Sequence, residues 1–381
     1  MIVIVAPYSP IGRASFPNLG ASRKIEIIIT QLAELTSRVV LVNTAHNTDE
    51  VGGLVVRETT VAGVAISEII PPIYKNRQLG KLINLVQVGK VVSRVMEIGS
   101  PSLVWLYNGY AFESIFAHKI KRLTSCPLVL EFEDWHFARR RGWNPKPYLD
   151  WIFWSRIKSA YTRVYAVNAT VASKASMEGV DVRLLPGIVP QTLLDTCAKR
   201  QPFSDPSQIT VGYFGRLVAE KGADKVISFA KELGDSFQFV VSGAGPLEGA
   251  MADFSKNNPK RLKYLGRISD DELYQQISRC DILLNPHKDI NHLANGVFPF
   301  KVVEAIASGR VLVSSALPQE GFTELLNTVL FFDGSIEDGV QKIRKAQLWY
   351  QKKGEEIKSA ADRVVETYGE TCFVDSVREL I

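Results

Sequence analysis

Arg216 and Lys221 stand five residues apart in the stretch Gly215-Arg216-Leu217-Val218-Ala219-Glu220-Lys221-Gly222. A guanidinium forks onto two phosphate oxygens, and an ammonium adds a point charge. On a loop that opens a helix, where the first N–H groups are unpaired, the two together suit a diphosphate. Taken singly, an Arg and a Lys on a loop are ordinary surface residues. The stretch Ser242-Gly243-Ala244-Gly245-Pro246 has few side-chain atoms to keep a ligand from the backbone. Tyr264-Leu265-Gly266-Arg267-Ile268 ends a third strand. Further on, Glu304 lies about a turn and a half into a helix that Pro299 can begin. The loop before it, Asn295-Gly296-Val297-Phe298, is uncharged and contains a glycine. Its backbone N–H groups could face an anion while Glu304 accepts from the ligand's hydroxyls. The alternative is an ordinary helix–strand unit with a solvated Glu.

A second polar group lies in the first half of the chain. The apolar run Leu128–Phe132 leads directly into Glu133, Asp134, Trp135 and His136. Ligand groups in open α/β sheets lie just outside such strand ends. Glu131, Glu133, Asp134 and His136 therefore form a candidate polar site, against the alternative of a solvated loop with a helix cap. Arg139, Arg140 and Arg141 follow, and four of the six tryptophans fall between Trp135 and Trp154. Interleaved basic and aromatic residues suit a membrane interface or an anionic acceptor. They equally suit a helix that buries its aromatics and shows its arginines to water, and the i, i+3 pair Trp151 and Trp154 fits that arrangement.

Alternating strands and helices must position these groups. Ile2–Ala6 is a continuous apolar run, as in a parallel sheet covered on both faces, and a helix is expected from about Ala21 to Leu35. The loop between them, Pro10-Ile11-Gly12-Arg13-Ala14-Ser15, matches neither GxGxxG nor Walker A, which excludes a nicotinamide or P-loop assignment for this half. Strands are expected at 39–42, 54–56, 64–66, 103–107, 128–132, 164–167 and 182–185, with a helix at about 79–97. Gln201 to Gln208 reads as a linker. Beyond it the spacing predicts strands near 209–214, 237–242, 262–265, 281–285, 311–315 and 328–332, helices between most of them, and helix from Asp333 nearly to the end with a break at Gly369. Loops at the carboxyl ends of these strands should share one rim.

Composition bounds the class. The 381 residues are 46% apolar and 22% charged, enough for two or three domains with sizeable cores. Residues 1–200 carry 24 Lys and Arg against 15 Asp and Glu, and residues 201–381 carry 21 against 25. A basic first half can favour anionic lipid, nucleic acid or phosphorylated substrates. No recognised nucleic-acid-binding module accompanies the arginines, so nucleic acid is not an expected partner. No apolar run approaches the ~18 residues a spanning helix needs, and Ile2–Ala6 is too short for a signal peptide. Cys126, Cys197, Cys280 and Cys372 are far apart with no CxxC pair, which suits a reducing, cytoplasmic setting.

Four ordered blocks resemble one known family. They are Phe214-Gly215-Arg216 to Glu220-Lys221-Gly222; Ser242 to Pro246; Leu265-Gly266-Arg267-Ile268 with Glu272-Leu273-Tyr274; and Phe298-Pro299-Phe300-Lys301-Val302-Val303-Glu304-Ala305 with Ala307-Ser308-Gly309. Together they resemble the retaining glycosyltransferases of the family 4 kind (glycosyl transferases group 1), over about residues 209–320. The resemblance implies an α/β protein of GT-B architecture, two Rossmann-like parallel-sheet domains facing across a cleft. It implies an acceptor-binding domain at 1–200, the linker at 201–208 and a nucleotide-sugar-binding domain at 209–365. A last helix at about 366–381 would pack back on the first domain.

By the same resemblance Arg216 and Lys221 bind the donor diphosphate and Glu304 holds the ribose hydroxyls. Gly215, Gly243, Gly245 and the loop Gly296, Val297 and Phe298 line the donor, with Arg267 and Ile268 near the base. Asp134 and His136 lie close to a family histidine. Gly12, Gly20, Glu133, Asp134 and Arg139–Arg141 fall on the acceptor side. The first Glu of the family's E-x7-E motif, which often touches the transferred sugar, is replaced by Gly296. The implied reaction moves a sugar from a nucleoside-diphosphate sugar to a hydroxyl of a glycan or lipid-linked acceptor, with retention, in surface polysaccharide or glycoconjugate synthesis. It needs no metal and no cofactor. Peripheral contact of the basic half with anionic membrane at its inner face is a further expectation. Two alternatives stand: a sugar-nucleotide epimerase of the same architecture, and a non-catalytic nucleotide-sugar-binding protein.

Overall fold

The computed structural model describes residues 1–9, 19–45, 51–139, 145–205, 208–288, 300–317 and 322–381, with the backbone alone at Leu19, Gly20, Arg77, Ala138 and Arg139. The chain divides into two compact units, Met1–Ile188 with Glu370–Ile381, and Val189–Gly369.

The first unit opens on β1 (Ile2–Ala6), whose five residues are completely buried. Then come α1 (Leu19–Ala33), β2 (Val39–Asn43), β3 (Val55–Val61), β4 (Val64–Ile70), α2 (Arg77–Ile98), β5 (Leu103–Tyr107), α3 (Ala111–Leu123), β6 (Leu128–Phe132), α4 (Lys146–Ile157), β7 (Arg163–Ala166), α5 (Ala169–Met177) and β8 (Val182–Leu184). Among the described residues they form an eight-stranded sheet in the order β3-β4-β2-β1-β5-β6-β7-β8. All pairs are parallel except β3 with β4. The turn between those two, Ala62 at φ 48° and Gly63 at φ 82°, has both residues left-handed, as a tight hairpin turn requires. The strand order reverses between β1 and β5. Trp105, Phe132 and Trp154 are fully buried in this core.

The second unit comprises α6 (Gln191–Cys197), β9 (Ile209–Phe214), α7 (Ala223–Leu233), β10 (Phe237–Ser242), α8 (Glu248–Asn257), β11 (Leu262–Tyr264), α9 (Asp270–Arg279), β12 (Ile282–Asn285), α10 (Phe300–Ala307), β13 (Val311–Ser314), α11 (Thr323–Leu326), β14 (Leu330–Phe331) and α12 (Ile336–Tyr368). Its strands are parallel in the order β11-β10-β9-β12-β13-β14. The order reverses between β9 and β12, where a doubly wound sheet opens a ligand crevice. Gly309, at φ 68°, ends α10 as the left-handed cap its sequence position called for. The last helix, α13 (Glu370–Arg378), belongs to the first unit. Phe373 meets Trp105 edge-on at 5.5 Å, and the Ser376 hydroxyl lies 2.9 Å from that of Tyr165.

One boundary differs from the expected one. The division falls after Ile188 rather than within 201–208, because residues 189–205 are fastened to the second unit. The Arg310 guanidinium donates to the carbonyls of Cys197 at 3.2 Å and Arg200 at 2.9 Å. The fully buried Asp281 carboxylate accepts from Arg200 at 2.9 Å, from the Phe203 N–H at 2.7 Å and from the Thr210 N–H at 2.8 Å. A proline- and serine-rich composition marked the stretch as a connection but carried no sign of these partners. Among the described residues no helix is long and apolar enough to cross a membrane.

Candidate functional site

The loops that follow β9, β10, β11 and β12 meet at the carboxyl edge of the second sheet, joined by their own backbones. Gly215 N–H donates to Ser242 at 3.0 Å, Leu217 N–H to Ala244 at 2.9 Å and Gly243 N–H to Gly266 at 2.9 Å. Lys288 N–H, after β12, donates to Glu220 at 3.0 Å. These contacts explain the glycines. A Cβ on Gly243 would sit 1.8 Å from the Gly215 carbonyl oxygen, and one on Gly245 2.5 Å from that of Leu217. A Cβ on Gly222, at φ 73°, would sit 1.8 Å from the Pro286 carbonyl oxygen. The small residues that looked like room for a ligand are thus room for neighbouring loops.

Arg216 is exposed on this rim, and Lys221 is half-buried at the end of the short turn Ala219–Lys221. Beneath both lies Tyr213, fully buried, its hydroxyl 3.0 Å from the Arg216 carbonyl and 3.3 Å from the Lys221 carbonyl. Burial, with Asp224 nearby, pushes this phenol above its ordinary range, so it stays a neutral donor that holds the cationic loop. On the ring face sits a third cation, the Lys301 ammonium, 4.8 Å from the centroid. Burial and then Lys221 lower Lys301 to about 7.

His287, just beyond β12, is 2% exposed. Burial, Lys221 and Lys301 lower it to about 3, so its imidazole is neutral. Its Nδ1 lies 3.4 Å from the Lys288 carbonyl, which favours the proton there, and its buried Nε2 has no hydrogen-bond partner among the described residues. Asp224, on α7, pairs with Lys288 at 3.4 Å. Glu304 is 3% exposed, so the alternative of a solvated surface Glu does not hold. Arg267 is exposed and Ile268 half-buried on the same side of the sheet, after β11.

Arg216, Lys221, Gly215, Gly243 and Gly245 are therefore brought together. Lys301, His287 and Tyr213 join them without having been singled out by sequence. Lys301 stood within the fourth block, but its place beside Lys221 depends on tertiary packing. Gly296, Val297 and Phe298 lie outside the described residues, as do Gly12, Arg140 and Arg141. For Gly20 and Arg139 only the backbone is described, Gly20 within α1 and Arg139 in a short 3₁₀ turn.

In the first unit the structure splits the polar cluster. Glu131, 1% exposed, and Glu133 both pair with the buried ammonium of Lys24, the former at 2.5 Å. Burial works against that ammonium's charge, but the two carboxylates more than offset it and hold its pKa above the ordinary range. The N–H groups of Glu133 and Asp134 reach the side-chain oxygen of Asn108 at 2.9 and 3.4 Å. His136 turns the other way. It is 4% exposed, lies 4.3 Å from the Tyr110 ring and 4.1 Å from Phe137, and its Nε2 is 3.9 Å from Asp150. Asp150 accepts from the first N–H of α3 at 2.8 Å and from Lys146 at 2.5 Å. Position at a strand end named the residues of this cluster but not the interior Lys24 that claims two of them. Trp154 is fully buried and Trp151 packs against the same core, as their i, i+3 spacing suggested.

Comparison with known proteins now places the second unit. Residues 208–346 match the family model described as glycosyl transferases group 1. The match lies wholly within the second unit. Among curated proteins the chain is similar to a glycogen synthase of Elusimicrobium minutum (strain Pei191), 29% identical over 85 residues. The match covers 22% of this chain and 18% of that protein's length. Solved structures are similar over the whole chain. Sucrose-phosphate synthase from Thermosynechococcus elongatus has a TM-score of 0.66 at 14% identity, covering 100% of this chain and 98% of that one. Anabaena HepE in complex with UDP gives 0.67 at 15% identity, covering 99% and 98%. A UDP-forming trehalose-phosphate synthase from Burkholderia xenovorans in complex with glucose-6-phosphate gives 0.69 at 10%, covering 100% and 99%. The fold of the chain is GT-B.

Proposed function

We propose that the protein is a retaining glycosyltransferase that moves a sugar from a nucleoside-diphosphate sugar to an acceptor hydroxyl. The observation that carries this reading is the cationic rim of the group 1 region, where Arg216, Lys221 and Lys301 gather at the strand-order reversal. As the bond from the anomeric carbon to the diphosphate breaks, negative charge builds on the leaving phosphate oxygens. Prepositioned cations in a partly desolvated site stabilise that charge without reorganising. The anomeric centre becomes oxocarbenium-like, and a hydroxyl arriving on the face being vacated retains configuration. Glu304, buried beside the site, accepts from the ribose hydroxyls. The solved relatives support a nucleotide-sugar donor: one is complexed with UDP, another is named as UDP-forming and carries glucose-6-phosphate. The acceptor is a glycan or lipid-linked glycan in glycoconjugate synthesis, met on the cytoplasmic side of a membrane.

The test is release of UDP or ADP from their glucose conjugates, with and without glucose 6-phosphate or a short glucan. Glu304→Ala should weaken donor binding by about tenfold or more, the loss of hydrogen bonds to a charged group. Donor bound but never consumed, with any acceptor, would favour the non-catalytic alternative. An epimerised sugar nucleotide would favour the epimerase.

A further inference from the structure

The third cation of the rim has no role yet. Lys301 is held face-on against the fully buried Tyr213, 4.8 Å from the ring centroid. The same Tyr213 hydroxyl touches the carbonyls of Arg216 and Lys221. One residue therefore fastens the backbone of the Arg216–Lys221 loop and meets the Lys301 ammonium on its ring face. His287, 2% exposed, adds an orphaned buried nitrogen beside them. A buried ammonium normally has a carboxylate, as Lys24 has Glu131 and Glu133. Lys301, half-buried, meets an aromatic face and a like charge and, among the described residues, no carboxylate. We propose that Lys301 is a third phosphate-binding cation of the donor site, which takes up a proton from solvent as a nucleoside diphosphate enters. This rests on the donor-site reading above and extends it from two cations to three.

The groups that face Lys301 decide whether the proton goes there. Lys221 on the loop after β9 opposes it, as does burial. Tyr213 on β9 is neutral, and His287 after β12 is neutral. Asp224 on α7 is engaged by Lys288, and Glu304 lies one turn along the same helix. Ligand-free, Lys301 sits near 7, so at slightly alkaline pH much of it is uncharged. A phosphate dianion beside it reverses the balance, because an opposite charge at contact favours the protonated form.

The experiment is titration calorimetry of UDP and ADP into the full chain at pH 7.5, in HEPES and in Tris, whose ionisation enthalpies differ. Wild type should take up about half a proton or more per nucleotide bound. Lys301→Arg, charged at every working pH, should bind within about threefold of wild type with no uptake. Lys301→Met should bind about tenfold or more weakly, again without uptake, and its ligand-free melting temperature should not fall, since no ion pair is lost. Lys301→Met binding like wild type would overturn the proposal. So would uptake that persists in Lys301→Arg and vanishes in His287→Gln, which would put the proton on the imidazole. If wild type binds neither nucleotide, the donor-site reading falls and this inference with it. If wild type binds and the Lys301 variants do not differ, only this inference falls.

Discussion

Gly243 shows what a single residue contributes to the rim. Its N–H donates to Gly266, and its missing Cβ lets the Gly215 carbonyl approach. Any side chain would meet that oxygen at 1.8 Å, at a φ of 147° that L residues rarely adopt. Gly243→Ala should therefore cost on the order of 2–4 kcal/mol in urea unfolding and displace the Arg216 loop, so that nucleotide affinity falls with stability. A stable Gly243→Ala variant with normal nucleotide binding would show that the loops are not stitched at this point. Glycine content was visible in the sequence, and so was the need for close approach. What approaches was not visible, since the partner loop lies 28 residues earlier. Lys301 and His287 were hidden for a related reason: a Lys and a His become unusual only when folding takes their water away.

At the scale of elements, strand and helix positions were legible because apolar runs and helical spacing are local signals. The polar ends of those elements were less so. Glu113 is an example. It sits in the first turn of α3, which reads as a simple helix-dipole acid. In the fold it is 3% exposed, accepts from Thr44 at 3.2 Å, and is raised to about 7, chiefly by burial, with Asp150 adding to the shift. Its folded pKa exceeds its unfolded value, so the folded state holds a proton that the unfolded state releases between about 4.5 and 7. Stability from this group falls as pH rises through that window and is level above it. Glu113→Gln should then raise the free energy of unfolding at pH 8 relative to wild type, by on the order of 1–3 kcal/mol, and leave it nearly unchanged at pH 4.5. An equal effect at both pH values would contradict the assignment. The split of the cluster at 131–136 has the same origin. Lys24 comes from α1, more than a hundred positions away, and no local pattern could couple it to Glu131.

For the whole molecule, β/α alternation pointed to parallel sheet and the family resemblance to two Rossmann-like domains, and the described strands form two sheets in orders that reverse at β1/β5 and at β9/β12. The domain boundary was misplaced by sequence because Asp281 and Arg310 gather a connection that composition alone would leave loose. The four blocks that suggested the family fall inside the region that the family model matches. The first unit resembles its solved relatives in fold at identities too low to carry its chemistry. The central claim, that the second unit is a nucleoside-diphosphate site, is tested most directly by thermal unfolding of the full chain with UDP, GDP, ADP and CMP and their sugar conjugates, beside Arg216→Ala. At ~100 times its dissociation constant a ligand of the folded state adds about 2.7 kcal/mol. One diphosphate should stand out in wild type and lose most of its effect in Arg216→Ala, while CMP does little. No stabilisation by any of them, or one that Arg216→Ala leaves intact, would contradict the account.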